Sequence, residues 1–144
     1  MLYTELTKKA MKIAYEAHKN QYDKSGIPYI YHPIHLAEQM NDESTICVAL
    51  LHDVIEDTDI TFEQLSDAGF SDEIISAIKL MTHDDSVPYM EYVRKVKADP
   101  IAAQVKLADL RHNSDLTRLN TFDENAKQRA EKYKKAIQLL LSAD

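Results

Sequence analysis

Chain-breaking residues are scarce in this sequence, and their scarcity limits the folds open to it more than any other feature. Only two glycines and four prolines occur in 144 residues. A sheet protein of this size would need many tight turns, in which glycine and proline are among the usual residues. We therefore expect an all-α protein, a bundle of helices with short connections, in which residues 1–144 form a single domain.

Apolar residues recur at helical spacing along most of the chain, and capping residues stand before several of the apolar stretches. The pattern predicts a first helix over residues 4–19 and a last helix over residues 123–142. A central helix should begin after the N-cap residue Asp42 and stop near Thr58. Asp99, which is followed by a proline, is a typical start for a later helix.

The overall charge and the lack of long apolar runs exclude several classes of partner. The net charge is −7 and there is no long basic run, so we expect no duplex nucleic acid partner. No run of about 18 apolar residues could cross a bilayer, and no leading segment resembles a signal peptide. We expect a cytoplasmic protein without a membrane partner, and the oligomeric state stays open. The single cysteine, Cys47, is expected to be a buried thiol.

The segment Leu50–Thr58 combines apolar residues with four side chains that bind metals or carry protons. In a continuous helix His52 would lie above Glu56, and Asp53 above Asp57, so that all four could point into one pocket. Three carboxylates beside an imidazole repel one another, and a divalent cation would relieve that repulsion. The same residues could instead form a solvated acidic helix end, so partners elsewhere in the chain must decide.

Two further segments supply such partners. Pro33 suits the first turn of a helix, which places His32 at or near the N-cap, where it could aim a ring nitrogen at a metal. Lys106, Asp109 and Asn113 recur at intervals of three and four residues and share one polar face of an otherwise apolar helix. That face is either an exposed flank or the lining of a pocket.

Two imidazoles and two carboxylates make up the candidate metal ligands: His32, His52, Asp53 and Asp109. This set suits a divalent ion such as Mn²⁺, with Fe and Zn as the alternatives. Four protein ligands would leave positions open for water and for a phosphate oxygen of a substrate.

Three blocks of the sequence, in this order, resemble the HD-domain metal-dependent phosphohydrolases. The match is closer still to the hydrolase domain of RelA/SpoT-type proteins and to the stand-alone small alarmone hydrolases. The blocks are Gln-x-x-Lys-Ser-Gly-x-Pro-Tyr-Ile-x-His-Pro at 21–33, Leu-Leu-His-Asp-x-x-Glu-Asp-Thr at 50–58 and Val-Lys-x-Ala-Asp-x-x-His-Asn at 105–113. The resemblance implies an HD-domain helical bundle with the metal site between its central helices.

The resemblance also implies a function. It indicates a metal-dependent phosphohydrolase that removes the 3′-pyrophosphate from guanosine tetra- and pentaphosphate (ppGpp) alarmones. Roles carry over only to matching positions. The implied metal ligands are His32, His52, Asp53 and Asp109, the catalytic acids are Glu56 and Asp57, and the substrate contacts are Lys24, Ser25 and Asn113. Tyr29 matches the pattern with a less definite role.

Two departures keep other functions open. The family commonly has arginines where this chain has Asp23 and Asp115, and the first of those arginines is associated with holding guanine. Arg111 or Arg118 could replace them in space. One alternative is an HD phosphohydrolase that acts on another nucleotide or on a phosphate ester. A second is a non-catalytic, metal-stabilised ligand-binding module, although such a module would not require both acids of the predicted catalytic pair.

Two remaining elements are expected to lie outside the site. His83 belongs to the polar segment 82–87 and could serve the site or lie in solvent, and we favour solvent. The last helix carries charge on its outer side and apolar residues on its inner side. It is therefore expected to dock on the bundle without contributing to the chemistry.

Overall fold

The computed structural model describes residues 1–143, and within them the fold is built from helices. In chain order these are α1 (Glu5–His18), α2 (Tyr31–Glu38), α3 (Glu43–Leu51), α4 (Val54–Asp57), α5 (Phe62–Asp67), α6 (Asp72–Met81), α7 (Tyr89–Lys97), α8 (Pro100–Asn113) and α9 (Glu124–Leu141), with a 3₁₀ turn at Leu116–Arg118. One isolated β-bridge joins Tyr22 to Pro28. The prediction of an all-α protein is confirmed.

Side-chain caps begin several helices where the sequence predicts them. Asp42 caps α3, since its Oδ1 accepts a hydrogen bond from the backbone N–H of Thr45 at 2.8 Å. Asp99 caps α8 by accepting from the N–H groups of Ile101 and Ala102 at 2.9 and 3.1 Å. Each cap satisfies backbone donors that have no partner within the helix itself. The caps therefore fix the start of the two helices that carry most of the site.

Helix α3 forms the centre of the bundle. Every residue from Thr45 to Leu51 is buried. Helices α1, α2, α6 and α8 pack around it. Cys47 lies in this buried stretch, as predicted, and burial together with the charge of Glu43 raises the pKa of its thiol to about 12. Because α3 is surrounded on all sides, the residues that follow its last turn lie inside the protein.

The prediction of one continuous central helix through Thr58 is wrong. Helix α3 ends at Leu51, and the four-residue helix α4 begins only at Val54. The side chain of His52 supplies the reason, because its Nδ1 lies 2.7 Å from the carbonyl oxygen of Ala49. In a continuous helix that carbonyl would accept from the backbone N–H of Asp53, so the side chain of His52 competes with the backbone ladder. The four side chains from His52 to Asp57 are therefore not carried by one continuous helix.

Helix α9 packs on α7 and α8 and closes one side of the bundle. The small residues Ala126 and Ala136 are its buried positions, which lets its backbone approach the neighbouring helices closely. The rest of the helix is exposed or half-buried, and it carries most of its charge there. None of the helices within residues 1–143 is long and apolar enough to span a membrane.

Candidate metal centre and active site

Three predicted metal ligands meet where helices α2, α3 and α8 converge. His32 lies in the first turn of α2, His52 directly follows α3, and Asp109 lies on α8. Their ligand atoms all lie within 4.8 Å of one another. The side chains are buried, with 4%, 3% and 6% of the respective residue surfaces exposed. The polar face of α8 is therefore the lining of a buried site and not an exposed flank.

The hydrogen bonding of His52 suits a metal ligand. A carbonyl can only accept, so the contact with Ala49 requires the proton of the neutral ring on Nδ1. Nε2 then presents its lone pair 2.9 Å from Oδ2 of Asp53 and 3.6 Å from Oδ1 of Asp109. It is a buried atom without a hydrogen-bond partner. A lone pair that faces two carboxylates is stable only with a cation between them, so the residues fit a bound metal.

Without a metal, the repulsion between the His52 lone pair and the two carboxylates is relieved by a proton on His52. Burial opposes a charge on the ring, but Asp53 and Asp109 outweigh it and hold the pKa of His52 well above its usual value. Burial likewise favours a neutral Asp53, but the nearby His52 lowers the pKa of that carboxyl to about 2. The site thus demands positive charge at its centre, which either a proton or a divalent ion can supply.

Asp109 is held from several directions at once. Its Oδ1 lies 2.9 Å from Nε2 of His32, and Asn113 donates to the same oxygen at 3.1 Å. Its Oδ2 accepts a hydrogen bond from Nζ of Lys106 at 3.0 Å. Burial raises the pKa of Asp109, but Lys106 and the two histidines outweigh burial and keep it well below the usual range. The carboxylate is therefore charged and fixed in orientation, as a metal ligand should be.

Asp53, the fourth predicted ligand, lies beside the three-residue group. Among the described residues the set whose ligand atoms lie within 4.8 Å of one another contains His32, His52 and Asp109 but not Asp53. The hydroxyl of Tyr29 donates a hydrogen bond to Oδ2 of Asp53. The sequence placed Tyr29 in a motif without a definite role, and the structure shows that it holds this carboxylate.

The predicted catalytic acids, Glu56 and Asp57, lie on α4 and both reach solvent. Partial burial, with the charge of Asp53 adding to it, raises the pKa of each carboxyl. Oε1 of Glu56 accepts a hydrogen bond from the backbone N–H of His83 at 2.6 Å. Gln21 donates to the backbone carbonyl of Asp57 at 3.0 Å and so ties the end of α4 to the loop after α1.

The expectation that His83 lies in solvent is wrong. Its ring packs against Tyr92 with 4.6 Å between the ring centroids, and its Nε2 lies 2.9 Å from the carbonyl oxygen of Val87. Its backbone amide holds Glu56, as described above. No side-chain pattern in the sequence marks this role, because the donor is a main-chain group that every residue except proline carries.

The three clustered residues His32, His52 and Asp109 are called the ligand group. A cavity of about 350 Å³ lies beside it, and all three predicted substrate contacts line this cavity. Its lining includes Lys24, Ser25, Asn113, Arg118, Arg129 and Tyr133. The last two residues come from α9, so this helix, which was expected only to dock, also contributes to the cavity wall. Whether Lys24, Ser25 and Asn113 contact a substrate stays a prediction.

A chain of polar contacts connects this cavity to the ligand group. The guanidinium of Arg118 lies 3.8 Å from Oδ2 of Asp23 and donates to Oδ1 of Asn113 at 3.3 Å. Asn113 in turn donates to Asp109. The hydroxyl of Ser25 donates to the backbone carbonyl of Arg118 at 2.6 Å. Of the two arginines that could replace the family's arginine in space, Arg118 is thus the one that lies next to Asp23.

A pair of histidines lies behind the ligand group. Nδ1 of His112 lies 2.7 Å from Nδ1 of His32. The ring of His35 packs against His112 with 4.1 Å between centroids. Burial and the nearby charge of Arg118 lower the pKa of His112 to about 4, so its ring is neutral at physiological pH. No spacing along the chain signals this pairing, since the two residues are separated by 80 positions.

Comparison with known proteins identifies a matching family. The sequence model of the HD domain matches residues 10–143. The guanosine-3′,5′-bis(diphosphate) 3′-pyrophosphohydrolase MESH1 of Danio rerio is 36% identical, with 90% of this chain and 79% of that protein aligned. MESH1 of Xenopus tropicalis is 35% identical over 86% of this chain and 76% of its own length.

Longer proteins and a solved structure match as well. The guanosine-3′,5′-bis(diphosphate) 3′-pyrophosphohydrolase of Aquifex aeolicus is 34% identical over 74% of this chain, which corresponds to 17% of that protein. The solved structure of a metazoan ortholog of SpoT, described as hydrolyzing ppGpp, superposes with a TM-score of 0.77 over 99% of this chain and 89% of that chain. At 24% identity this likeness supports the fold. From the match over residues 10–143 and the buried histidine–aspartate group, we conclude that the chain belongs to the HD-domain family.

Proposed function

We propose that this protein is a metal-dependent phosphohydrolase that removes the 3′-pyrophosphate from guanosine tetra- or pentaphosphate. One observation carries the proposal: two residues that line the cavity of the predicted substrate contacts also hold predicted metal ligands. Tyr29 and Asn113 line the cavity, and each also hydrogen-bonds to a predicted metal ligand. A nucleotide in the cavity would therefore present a phosphate next to the ligand group. The relatives named for this activity support the same substrate.

The proposed cofactor is a divalent ion held by His32, His52 and Asp109, with Asp53 as the fourth ligand. The mixture of imidazole and carboxylate ligands favours Mn²⁺, with Fe and Zn as the alternatives. A bound ion of this kind supplies positive charge that acidifies water and offsets the charge of a phosphate.

The acids on α4 would carry the proton transfers. Glu56 and Asp57 have raised pKa values, which makes each a better base than an ordinary surface carboxylate. The amide of His83 holds Oε1 of Glu56 and so orients the carboxylate. One acid would orient and deprotonate the attacking water, and the other would deliver a proton to the leaving oxygen. Lys24, on the cavity wall, would offset charge on the transferred phosphate.

A second candidate function is hydrolysis of a different nucleotide by the same apparatus. The observation that favours it is the role of Asp23, whose Oδ1 accepts from the backbone N–H groups of Ser25 and Ile27 at 2.8 and 3.0 Å. The carboxylate therefore shapes the loop that carries Lys24. A nucleobase that binds an arginine at this position in the family would meet a carboxylate here, and that carboxylate is paired with Arg118.

Product analysis separates the candidates. Purified protein loaded with Mn²⁺ is incubated with ppGpp, pppGpp and a panel of other nucleotides and phosphate esters. Pyrophosphate with GDP or GTP supports the proposal, and orthophosphate from another ester supports the second candidate. Metal binding without turnover of any compound would favour a binding module. Glu56→Gln serves as the inactive control, because it removes a proposed base while leaving every proposed metal ligand in place.

A further inference from the structure

The two rings of His32 and His112 lie end to end in nearly one plane. Their planes differ by 6° and their centroids are 5.0 Å apart. The Nδ1 atoms are only 2.7 Å apart. The centroid separation is thus the nitrogen separation plus about one ring radius on each side, which face-to-face packing would not give. Since ring lone pairs and N–H bonds lie in the ring plane, the two nitrogens form a well-aligned hydrogen bond.

A hydrogen bond between two ring nitrogens needs one proton, so one Nδ1 must donate and the other must accept. Nε2 of His32 faces Asp109 at 2.9 Å within the ligand group. To bind a cation this nitrogen must carry no proton, which leaves the proton of the neutral ring on Nδ1. Nδ1 of His32 then donates, and Nδ1 of His112 accepts.

We propose that His112 is a positioning residue that fixes the tautomer and the ring orientation of the metal ligand His32. It plays for His32 the part that the Ala49 carbonyl plays for His52. Metal-binding histidines usually hold their second nitrogen with a carbonyl or a carboxylate, and here a neutral imidazole takes that place. The inference rests on the proposed binding of metal at His32.

The surroundings of His112 keep its ring in place. The ring packs against His35, and Arg118 donates to the backbone carbonyl of His112 at 2.9 Å. Arg118, which lines the cavity, thus links the cavity wall to the backbone of His112. It touches His32 through one nitrogen only, and in the metal-bound state the other nitrogen, Nε2, carries its proton.

Three variants test the proposal. His112→Phe keeps a flat ring but has no acceptor, so we expect it to weaken Mn²⁺ binding by about 10- to 100-fold. His112→Asn places an oxygen close to the position of Nδ1 and should restore most of the lost affinity. His35→Phe is the matched control, since it changes the ring that packs on His112 without removing the acceptor, and should bind Mn²⁺ as the parent does. Calorimetric titration measures all three.

A spectroscopic measurement on the parent protein keeps the test independent of the variants' folding. In the Zn²⁺-loaded protein, ¹⁵N NMR of the histidine rings should show a proton on Nδ1 of His32 and none on Nδ1 of His112. The opposite assignment would overturn the proposal, and so would a folded His112→Phe variant that binds Mn²⁺ as tightly as the parent. If the parent binds neither ion, the proposed function fails and not this assignment alone.

Discussion

Nζ of Lys106 lies 3.0 Å from Oδ2 of Asp109, and both side chains are largely buried. Burial opposes a charge on either group. The pairing outweighs burial, with His32 and His52 adding to it at Asp109, so the pKa of Lys106 is raised and that of Asp109 is held well below its usual value. The ion pair thus keeps Asp109 charged even before a metal binds.

Removing Lys106 should therefore be costly. In Lys106→Met the buried carboxylate of Asp109 loses its cation, and we expect the free energy of unfolding to fall by about 3 kcal/mol or more. Urea unfolding of the metal-free protein measures the change. Lys95→Met, a substitution at an exposed position on α7, should change it by no more than about 0.5 kcal/mol. Equal effects of the two substitutions would contradict the importance of the buried pair.

The second prediction concerns Asp109 as a metal ligand. Asp109→Ala removes the carboxylate that lies 2.9 Å from Nε2 of His32 and 3.6 Å from Nε2 of His52, so the variant should bind no Mn²⁺ at concentrations that saturate the parent. A bound ion stabilises the folded state in proportion to its affinity, so Mn²⁺ should raise the Tm of the parent but not that of the variant. Asp115→Ala, a substitution at an exposed position beyond α8, is the control and should keep the shift.

The third prediction separates catalysis from metal binding. Glu56→Gln keeps the size of the side chain and the hydrogen bond from His83 but removes the proposed base. We expect kcat to fall by about 10²- to 10⁴-fold with Mn²⁺ affinity unchanged. Glu63→Gln removes an exposed carboxylate on α5 and should leave kcat as it is. Full activity of Glu56→Gln would show that its assigned role is wrong.

The fourth prediction concerns the loop that Asp23 shapes. Asp23→Arg removes two hydrogen bonds to backbone N–H groups and places a second cation beside Arg118. We expect it to lower stability by about 1–3 kcal/mol and to raise KM for ppGpp, even though it restores the residue common in the resembling family. Asp23→Asn keeps the accepting oxygen and should retain the stability of the parent. An improved KM in Asp23→Arg would contradict this account.

The fifth prediction is a pH dependence that comes from Cys47. The folded protein holds this thiol neutral with a pKa of about 12, whereas an unfolded cysteine ionises near pH 8.5. The resulting stabilisation is complete below the unfolded pKa and is lost as the pH rises towards the folded one. Between pH 8 and 10 the parent should therefore lose about 1–2 kcal/mol more than Cys47→Ala does. Urea unfolding of both proteins at pH 8 and pH 10 gives each protein's loss of unfolding free energy. Because the losses are compared, a difference in stability at pH 8 does not affect the result.

Much of the fold follows from local signals in the sequence. Asp42 and Asp99 predict helix starts because a cap needs only an acceptor a few residues before the N–H groups it satisfies. His32, His52 and Asp109 were predicted to meet, and the structure brings them together. That prediction depended on the chemistry of the three residue types and on their motifs, since no spacing along the chain places them side by side.

The parts that sequence reasoning missed depend on contacts between distant segments. The break after Leu51 follows from where the His52 ring points once α3 is buried, which helical spacing does not report. The bond from Tyr29 to Asp53 and the pairing of His112 with His32 join residues 24 and 80 positions apart. Such contacts become visible only when the packing of the helices is known.

The ligand group and the cavity wall are built from different stretches of chain. The first comes from α2, α8 and the turn after α3, and the second mostly from the loop after α1, the 3₁₀ turn and α9. An exchange at a cavity position such as Arg129, on α9, should therefore change the cavity wall while the ligand group stays whole. A scaffold divided in this way lends itself to engineering: new selectivity can be selected in one half without rebuilding the other.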